Sequence, residues 1–351
     1  MSDGPGVVSR SLEVSNDRVD VVIPVYNACE LTRRCLRSLL ACPSPALGRI
    51  HVHDNASGEE TARMLDSFRS PRLEVHHAAS NTGFGDAVNQ GIGRTRSDRV
   101  LVLNSDVEAR GDFVSPLLEA LRNSPKLAAV VPAGNTFRHY DLSRYESHGG
   151  WISTYSLPAY AFLVRRSAFD EVGGFDPAFG LGFYEDADLS RRWIRAGWRL
   201  GICPEASLYH EIHGSFAGVS QFRELLARNR EIYHARWPGA LRKVALASRE
   251  ARLSALHPEL RGEIDRVLAE GGEVHWFAPG GPRDLAALQM RGARLGALAT
   301  PRAIRRRRQR RFSRFVEIWR VDGTPALASR RLLRTAASLG LPLRRFLCTG
   351  R

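Results

Sequence analysis

The chain has 351 residues, of which 43% are hydrophobic and 25% charged, with a formal net charge of +14, enough for one large unit with an appendage or for two units with cores of their own. It has no apolar run of about 18 residues, and its polar start from Met1 to Arg18 lacks the apolar centre of a signal peptide, which argues against a membrane span and a leader. The five cysteines (Cys29, Cys35, Cys42, Cys203 and Cys348) are odd in number and never spaced as CxxC, which argues against a disulfide framework and a zinc site and points to a cytoplasmic chain with free thiols.

The positive charge is segregated. Residues 1–250 carry 30 Lys and Arg against 29 Asp and Glu, whereas residues 251–351 carry 21 against 8, so a nucleic-acid reading of the charge applies to the C-terminal stretch alone. Residues 1–17, rich in Ser, Gly, Asp and Asn without periodicity, are expected to be a disordered tail. Val19 to Val25 (VDVVIPV) is a β-branched strand containing Pro24, with Tyr26 and Asn27 as the turn after it. A helix from about Glu30 to Leu40 carries Leu31, Cys35, Leu36, Leu39 and Leu40 at helical spacing. Ile50 to His53 is the next strand and ends in Asp54-Asn55-Ala56-Ser57-Gly58. A helix from Glu59 to Phe68 and a short strand from Leu73 to His76 precede Asn81-Thr82-Gly83-Phe84-Gly85. Asp86 to Arg94 is a third helix, and the strand Arg99 to Leu103 runs into Asn104-Ser105-Asp106-Val107.

This βαβαβαβ order calls for an α/β fold with a doubly wound, mostly parallel sheet and right-handed crossovers. Asn27, Asp54 with Asn55, and Asp106 then gather at the carboxyl edge, where open α/β sheets bind ligands. Asp106 is a hard-oxygen ligand suited to Mg²⁺ or Mn²⁺ and through it to a diphosphate, or else it caps the following turn. Neither GxGxxG nor GxxxxGK[ST] follows the first strand, which argues against dinucleotide and P-loop sites.

Six stretches, VDVVIPVYN, HDNAS, NTGFGDAVNQGI, LNSDV, GGFDPAFGLGFYEDADLSRR and LYHEIHGS, are similar in order and spacing to the motifs of inverting glycosyltransferases of family 2, over about Arg18 to Pro238. The resemblance implies a GT-A type sandwich over residues 18–247, with a nucleotide-binding half followed by an acceptor half. It implies that Asp54, with Asn55 beside it, hydrogen-bonds the base and that Pro24, Tyr26 and Asn27 line base and ribose. A carboxylate suits uracil or thymine because it accepts from the ring imide N–H; a helix cap is the structural alternative for Asp54. Asn81, Gly83 and Asn89 match the next motif, with Asn89 read as mainly architectural. Asn104, Ser105 and Asp106 stand at the DxD-like metal motif, with Asn replacing the first acid. His210 matches the downstream histidine beside the metal and is preferred to His213, so that Asp106, His210 and diphosphate oxygens would hold Mg²⁺ or Mn²⁺.

In the acceptor half the resemblance makes Pro158 to Arg165 a strand lining the floor, with Tyr160 narrowing the pocket where relatives often carry Gly. Asp186 matches the catalytic base, the one group an inverting transfer needs to take the proton of the attacking hydroxyl. Glu185 and Asp188 are expected to support it, Asp188 through an ion pair with Arg191 or Arg192; three acids at a helix start also suit the helix dipole. Arg228-Asn229-Arg230 matches a late motif in which an arginine approaches phosphate, or else a solvated helix face.

Residues 248–351 lie outside the resemblance and are expected to form a basic α/β or helical module. Its predicted helices are 259–269, 282–298 and 324–339, and its predicted strands 273–277 and 315–321. The run Arg305 to Arg311, followed by Phe312 and Phe315, is a solvated face or a docking site for anionic lipid. The expected function is metal-dependent hexosyl transfer from a UDP- or TDP-sugar, rhamnose among the candidates. The acceptor is a glycan, a lipid-linked saccharide or a natural-product hydroxyl, as in cell-wall or surface polysaccharide synthesis at the inner face of the membrane. The competing readings are a nucleic-acid-binding protein, which leaves the acidic strand ends unexplained, and a sugar nucleotidyltransferase, which would want a Gly-rich basic signature that VIPVYN lacks.

Overall fold

The computed structural model describes residues 18–211, 221–307 and 314–347. The N-terminal 17 residues, His213, Arg308 to Arg311 and Cys348 lie outside the described residues.

In chain order the first part holds β1 (Val19–Val25), α1 (Cys29–Leu40), β2 (Leu47–Asp54), α2 (Glu59–Ser67), β3 (Leu73–His77), α3 (Phe84–Arg94), β4 (Arg99–Leu103), β5 (Val107–Ala109), α4 (Val114–Arg122) and β6 (Leu127–Pro132). It continues with β7 (Ile152–Thr154), β8 (Ala161–Arg165), α5 (Arg166–Glu171), α6 (Glu185–Arg195), β9 (Arg199–Cys203), β10 (Leu208–His210) and α7 (Gln221–Arg236). Eight of these strands form one mixed, mostly parallel sheet in the order β3-β2-β1-β4-β8-β6-β9-β7, and β10 pairs with β5 apart from it. Val19, Val21, Val22 and Ile23 of β1 and Val100 to Leu103 of β4 are fully buried, as expected of central strands covered by helices on both faces. Gly91 of α3 makes that cover close: a Cβ there would stand 2.4 Å from Val22 Cγ1.

Two features of this sheet position the site. β1 lies between β2 and β4 and parallel to both, so the connections part on either side of it and a crevice opens at the carboxyl edge. β8 then runs antiparallel to β4, with Ala161 opposite Leu103. The start of β8 therefore lies at that same edge.

The rest of the chain forms β11 (Lys243–Ala247), α8 (Pro258–Ala269), β12 (Glu273–Ala278), β13 (Met290–Arg294), α9 (Ala299–Arg307), β14 (Glu317–Val321), α10 (Ala326–Leu339) and β15 (Leu343–Phe346). The five strands make a wholly parallel sheet in the order β13-β12-β11-β14-β15. Its central strand, β11, precedes position 248, where the basic module was expected to begin. Alternate residues of that strand enter two small cores, Val244 and Leu246 with Trp276 and Trp319 on one face, Ala245 and Ala247 with Phe277 and Ile318 on the other. The helix expected over 282–298 is absent, and β13 stands there instead. Gly280 and Gly281 are both left-handed (φ 74° and 88°), and Pro282, Gly292 and Gly296 further weaken a helix against an edge strand. Among the described residues no helix is long and apolar enough to cross a membrane, and Cys29, Cys35, Cys42 and Cys203 are free thiols.

The two sheets are joined through buried polar contacts. Arg191 of α6, 2% exposed, donates Nη1 to the carbonyls of Leu268 (3.1 Å) and Ala269 (2.9 Å), closing the end of α8. Gln289 bridges Tyr155 N–H and Thr154 Oγ1. Truncation of the guanidinium leaves those carbonyls without their charged donor, so Arg191→Ala is expected to lower stability by about 1.5–3 kcal/mol, read as a shift of the urea midpoint followed by tryptophan fluorescence.

Candidate active site

At the ends of β1 and β2 the backbone is stitched by side chains. Asn27 and Ala28 are both left-handed (φ 58° and 54°), a conformation that Asn tolerates best among non-glycine residues. Asn27 Oδ1 accepts the Gly58 N–H (2.9 Å) and its own N–H donates to Ser57 Oγ (2.8 Å). Asn55 reaches onward: its Oδ1 accepts from Thr82 N–H (3.0 Å), and its Nδ2 donates to Asn81 Oδ1 (2.8 Å) and the Gly83 carbonyl (3.2 Å). Gly83 is left-handed (φ 91°), and a Cβ there would stand 2.2 Å from the Gly180 carbonyl oxygen, so the loop after β3 touches the loop ahead of α6. Pro24 is half-buried opposite His53, and Tyr26 is 53% exposed.

Asp54, 2% exposed, closes its own turn and binds a histidine. Oδ1 accepts the Ser57 N–H (3.0 Å) and Oδ2 lies 2.6 Å from His77 Nδ1. The other ring nitrogen of His77 is 3.1 Å from Asp66 Oδ1. The hydrogen bond to Asp54, helped by Asp66, holds the His77 pKa above its ordinary value.

The second cluster is Asp106 with His210, brought together because β5 and β10 pair antiparallel with His210 opposite Val107. Asp106 Oδ1 is 3.3 Å from His210 Nε2. Asn135 exchanges both hydrogen bonds with the His210 backbone (2.8 Å each), and Thr136 Oγ1 is 3.5 Å from Nδ1. The Tyr160 ring lies flat on the imidazole, 4.8 Å between centroids and 10° between planes. The Tyr160 hydroxyl donates to the carbonyls of Pro132 and Ala133. Its ring thus backs His210. Ser105 is buried, and the buried Asn104 Oδ1 has no hydrogen-bond partner. Among the described residues no three His, Cys, Asp or Glu side chains form a metal cluster. One carboxylate oxygen facing one imidazole nitrogen nonetheless suits a divalent cation that takes its other ligands from substrate oxygens.

The third cluster opens α6. Phe183 and Tyr184 are consecutive left-handed residues (φ 72° and 71°). Asn229, fully buried, pins them by donating Nδ2 to the carbonyls of Phe179 (2.7 Å), Gly182 (2.7 Å) and Phe183 (3.1 Å). Arg228 donates to the Ala178 carbonyl (3.1 Å) on the same loop. Burial pushes the Glu185 carboxyl well above its ordinary range, and the charge of Asp186 adds to it. Burial also raises Asp186, opposed by the backbone N–H groups of Ala187 (2.7 Å) and Ala159. Asp188 differs: fully buried, it accepts from Arg192 Nε (2.8 Å), Arg236 Nη1 (2.8 Å) and Trp237 Nε1 (2.9 Å). The expected partner Arg192 is there; Arg191 instead bonds the end of α8.

One dipeptide connects these groups. The Ala159 backbone N–H acts to lower the Asp186 pKa, the Tyr160 carbonyl accepts the Asn104 N–H (2.8 Å), and the Tyr160 ring stacks on His210. Residues 20–185 match the family described as Glycosyl transferase family 2. These residues form a glycosyl transferase family 2 domain, which spans a little under half of the chain. Its reaction is glycosyl transfer from a nucleotide sugar.

Two curated relatives of this glycosyltransferase are from Mycobacterium tuberculosis. An N-acetylglucosaminyl-diphospho-decaprenol L-rhamnosyltransferase is 27% identical over 261 residues, 62% of this chain and 83% of the relative. A pre-mycofactocin glycosyltransferase is 29% identical over 281 residues, 75% of this chain and 53% of the relative. Among solved structures, a mannosyltransferase from Pyrobaculum calidifontis in complex with GDP-Man and Mn²⁺ superposes with a TM-score of 0.53 at 18% identity, covering 92% of this chain and 75% of that one. The fold is GT-A-like.

His77, Asn135, Thr136 and Asn229 escaped the sequence reading of this glycosyltransferase as site residues. His77 ends a strand of ordinary polarity, and Asn135 and Thr136 lie in a stretch without periodicity. Asn229 had a signal, the Arg-Asn-Arg motif, but the arginine rather than the buried amide drew the interpretation.

The His77 contact has a pH signature. Its folded pKa is raised, so its contribution to stability is fully present below the unfolded value of about 6.5 and is lost as pH rises through the folded value. The stability difference between wild type and His77→Gln is therefore expected to be largest on the acid side of about pH 6.5 and to shrink above it, in paired denaturation curves across that range.

Proposed function

We propose that this family 2 enzyme transfers a hexosyl group, with inversion, from a pyrimidine-nucleotide sugar to a hydroxyl of a lipid-linked saccharide. The observation that carries the reading is the convergence of Asp186, Asn104 and His210 on Ala159 and Tyr160. Cα atoms of adjacent residues are about 3.8 Å apart, so the base and the phosphate-side groups belong to one reaction volume. The lipid-linked acceptor is supported by the name of the rhamnosyltransferase relative, and the pyrimidine by Asp54 at the end of β2.

In this reading Asp186 takes the proton of the acceptor hydroxyl as its oxygen attacks the anomeric carbon. The carbon–oxygen bond to the diphosphate breaks on the opposite face, and the nucleoside diphosphate leaves with that electron pair. A carboxylate whose burial raises its pKa is better matched to a hydroxyl proton than a solvated one. Glu185 shares the buried pair and supports the charge state of Asp186. Asp188 is a positioning residue that ties α6 to α7. Asp106 and His210 would hold Mn²⁺ or Mg²⁺, which supplies charge neutralisation for the departing diphosphate. Asn27, Asn55, Asn81 and Gly83 shape the donor loops, Pro24 and Tyr26 border the base, and Asn104 and Ser105 lead into Asp106. The transfer unit is read as ending ahead of Lys243, and the basic excess of residues 251–351 as a peripheral docking aid on anionic lipid.

The assay that tests donor and metal together is nucleotide release from a panel of UDP-, TDP- and GDP-sugars, with chelator and with added Mn²⁺ or Mg²⁺. A UDP- or TDP-sugar turned over only with metal, and Asp106→Ala inactive at any metal concentration, are the expected results. Turnover of GDP-sugars alone sinks the pyrimidine assignment, and wild-type rates for Asp106→Ala in chelator sink the metal assignment.

Base and anchor separate in a second comparison. Asp186→Asn is expected to keep its fold and donor affinity and to lose about 10²- to 10⁴-fold in single-turnover rate. Asp188→Asn, which strips charge from a buried three-donor site, is expected to lose about 3–5 kcal/mol of stability in chemical denaturation. An active Asp186→Asn enzyme refutes the assigned base.

A further inference from the structure

The chain carries a cavity of about 540 Å³, sharing no residue with the transfer site, at the carboxyl edge of the five-stranded sheet. Its walls are the Gly280–Gly281 turn after β12, the end of β13, and three arginines, Arg144, Arg283 and Arg294. No carboxylate lines it. Among the described residues none of these arginines forms an ion pair. The nearest acid in sequence, Asp284, is engaged by the Leu253 N–H at 2.6 Å. Like charges converging without counter-charge are unfavourable unless an anion completes them.

The wall is built rather than incidental. Arg144 comes from the stretch between β6 and β7 and crosses to the second sheet, where its Nη2 donates to the Pro282 carbonyl (2.5 Å) and its own carbonyl accepts the Leu285 N–H (2.8 Å). Gly292 leaves room for it: a Cβ there would stand 3.0 Å from Arg144 Nη2 and 3.1 Å from Pro282 Cδ. Arg294 is the last residue of β13, placed at the edge by its pairing with Ala278. Gly280 and Gly281, left-handed and without side chains, let a ligand approach the backbone. The neighbouring crevice between β11 and β14 is closed, because Thr324 Oγ1 bonds the Ala247 and Val321 carbonyls and Ser248 Oγ bonds Glu250 and Trp276.

We propose that this cavity binds a diphosphate ester. Three guanidiniums match the oxygens of a diphosphate better than the single charge of a carboxylate. The volume falls in the range of organic ligand sites, about 300–1,000 Å³, so the group it takes carries more than the phosphates. Two sources share this chemistry, a soluble nucleoside diphosphate and a polyprenyl diphosphate in a membrane. The inference does not depend on the roles assigned to Asp186, Asp106 or Asp54.

The test uses the full chain in chelator, on an Asp106→Ala background that cripples the transfer site. Calorimetric titration with inorganic pyrophosphate is expected to show one site, weakened about tenfold or more by Arg144→Gln and by Arg294→Gln, the loss expected for a charge-assisted hydrogen bond. Arg294 is exposed, so its variant keeps the fold even where Arg144→Gln loosens the contact between the sheets. Flotation with neutral phosphatidylcholine vesicles, with and without a polyprenyl diphosphate, then assigns the source. Recruitment that needs the lipid and is lost in Arg294→Gln supports the membrane, and UDP binding that is weakened by Arg294→Gln, with no recruitment, supports the soluble ligand. No pyrophosphate binding at millimolar concentration, or binding indifferent to both arginine variants, overturns the proposal. So does a site that takes only duplex DNA with a steep salt dependence.

Discussion

The antiparallel entry of β8 between β4 and β6 is the constraint on which the transfer site depends. In an all-parallel sheet, the start of a strand and the end of its neighbour lie at opposite edges. Reversing one strand puts its beginning beside its neighbour's end, and here the register sets Ala161 against Leu103. Asn104 then meets the Tyr160 carbonyl directly. The residues ahead of β8 inherit the carboxyl edge, so Ala159 and Tyr160 lie beside the end of β4. The Tyr160 ring extends the same contact to His210, although that histidine belongs to a separate two-stranded sheet. A slip of one residue in β8 would turn Tyr160 to the other face of the sheet and remove the platform under His210.

The start of α6 shows how much local strain the surroundings sustain. Two consecutive non-glycine residues in the left-handed region cost about 1–3 kcal/mol each, and they persist because Asn229 supplies amide protons to three carbonyls of that loop from a helix almost fifty residues away. The strain sets where Glu185 and Asp186 point. Asp188, further along the same turn, pairs with Arg192 and Arg236 and accepts from Trp237, which fixes α6 against the end of α7. The same short helix end thus holds one carboxylate locked by three donors and two carboxyls whose pKa values burial raises.

The nucleotide half was legible because its signals are local. VDVVIPV, the run before Asp106 and the helices between them follow period and composition, and each polar strand end sits where a parallel sheet must expose it. Asp188 with Arg192 was legible for the same reason, four residues apart on one helix. Contacts made by topology were not. Nothing near His77 announces that β2 and β3 will set it against Asp54, and the reversed direction of β8 leaves no trace in its composition. In the second sheet, residues 282–298 alternate too briefly for period to decide, and the Gly-Gly-Pro turn outweighed the helical spacing of the leucines. The arginine-rich character of that region was visible. That Arg144, far upstream, would cross over to join Arg283 and Arg294 was not.

Counting lone pairs sorts the buried acids of the transferase by what they can still do. An ionised carboxylate offers about four acceptor positions. Asp188 has three strong donors and no exposed surface, so a further partner would have to displace one already bound. Asp54 has one donor on each oxygen, a backbone N–H and an imidazole, and keeps acceptor capacity for a ring N–H. Asp106 faces His210 across 3.3 Å, a separation at the long end of a hydrogen bond, and the two could turn their electron pairs to a shared cation instead. Asp186, half-buried, takes the Ala187 N–H beside the buried Glu185, and burial raises both carboxyls above their ordinary range. Four carboxylates of one kind thereby meet four different sets of partners, delivered by the fold from elsewhere in the chain.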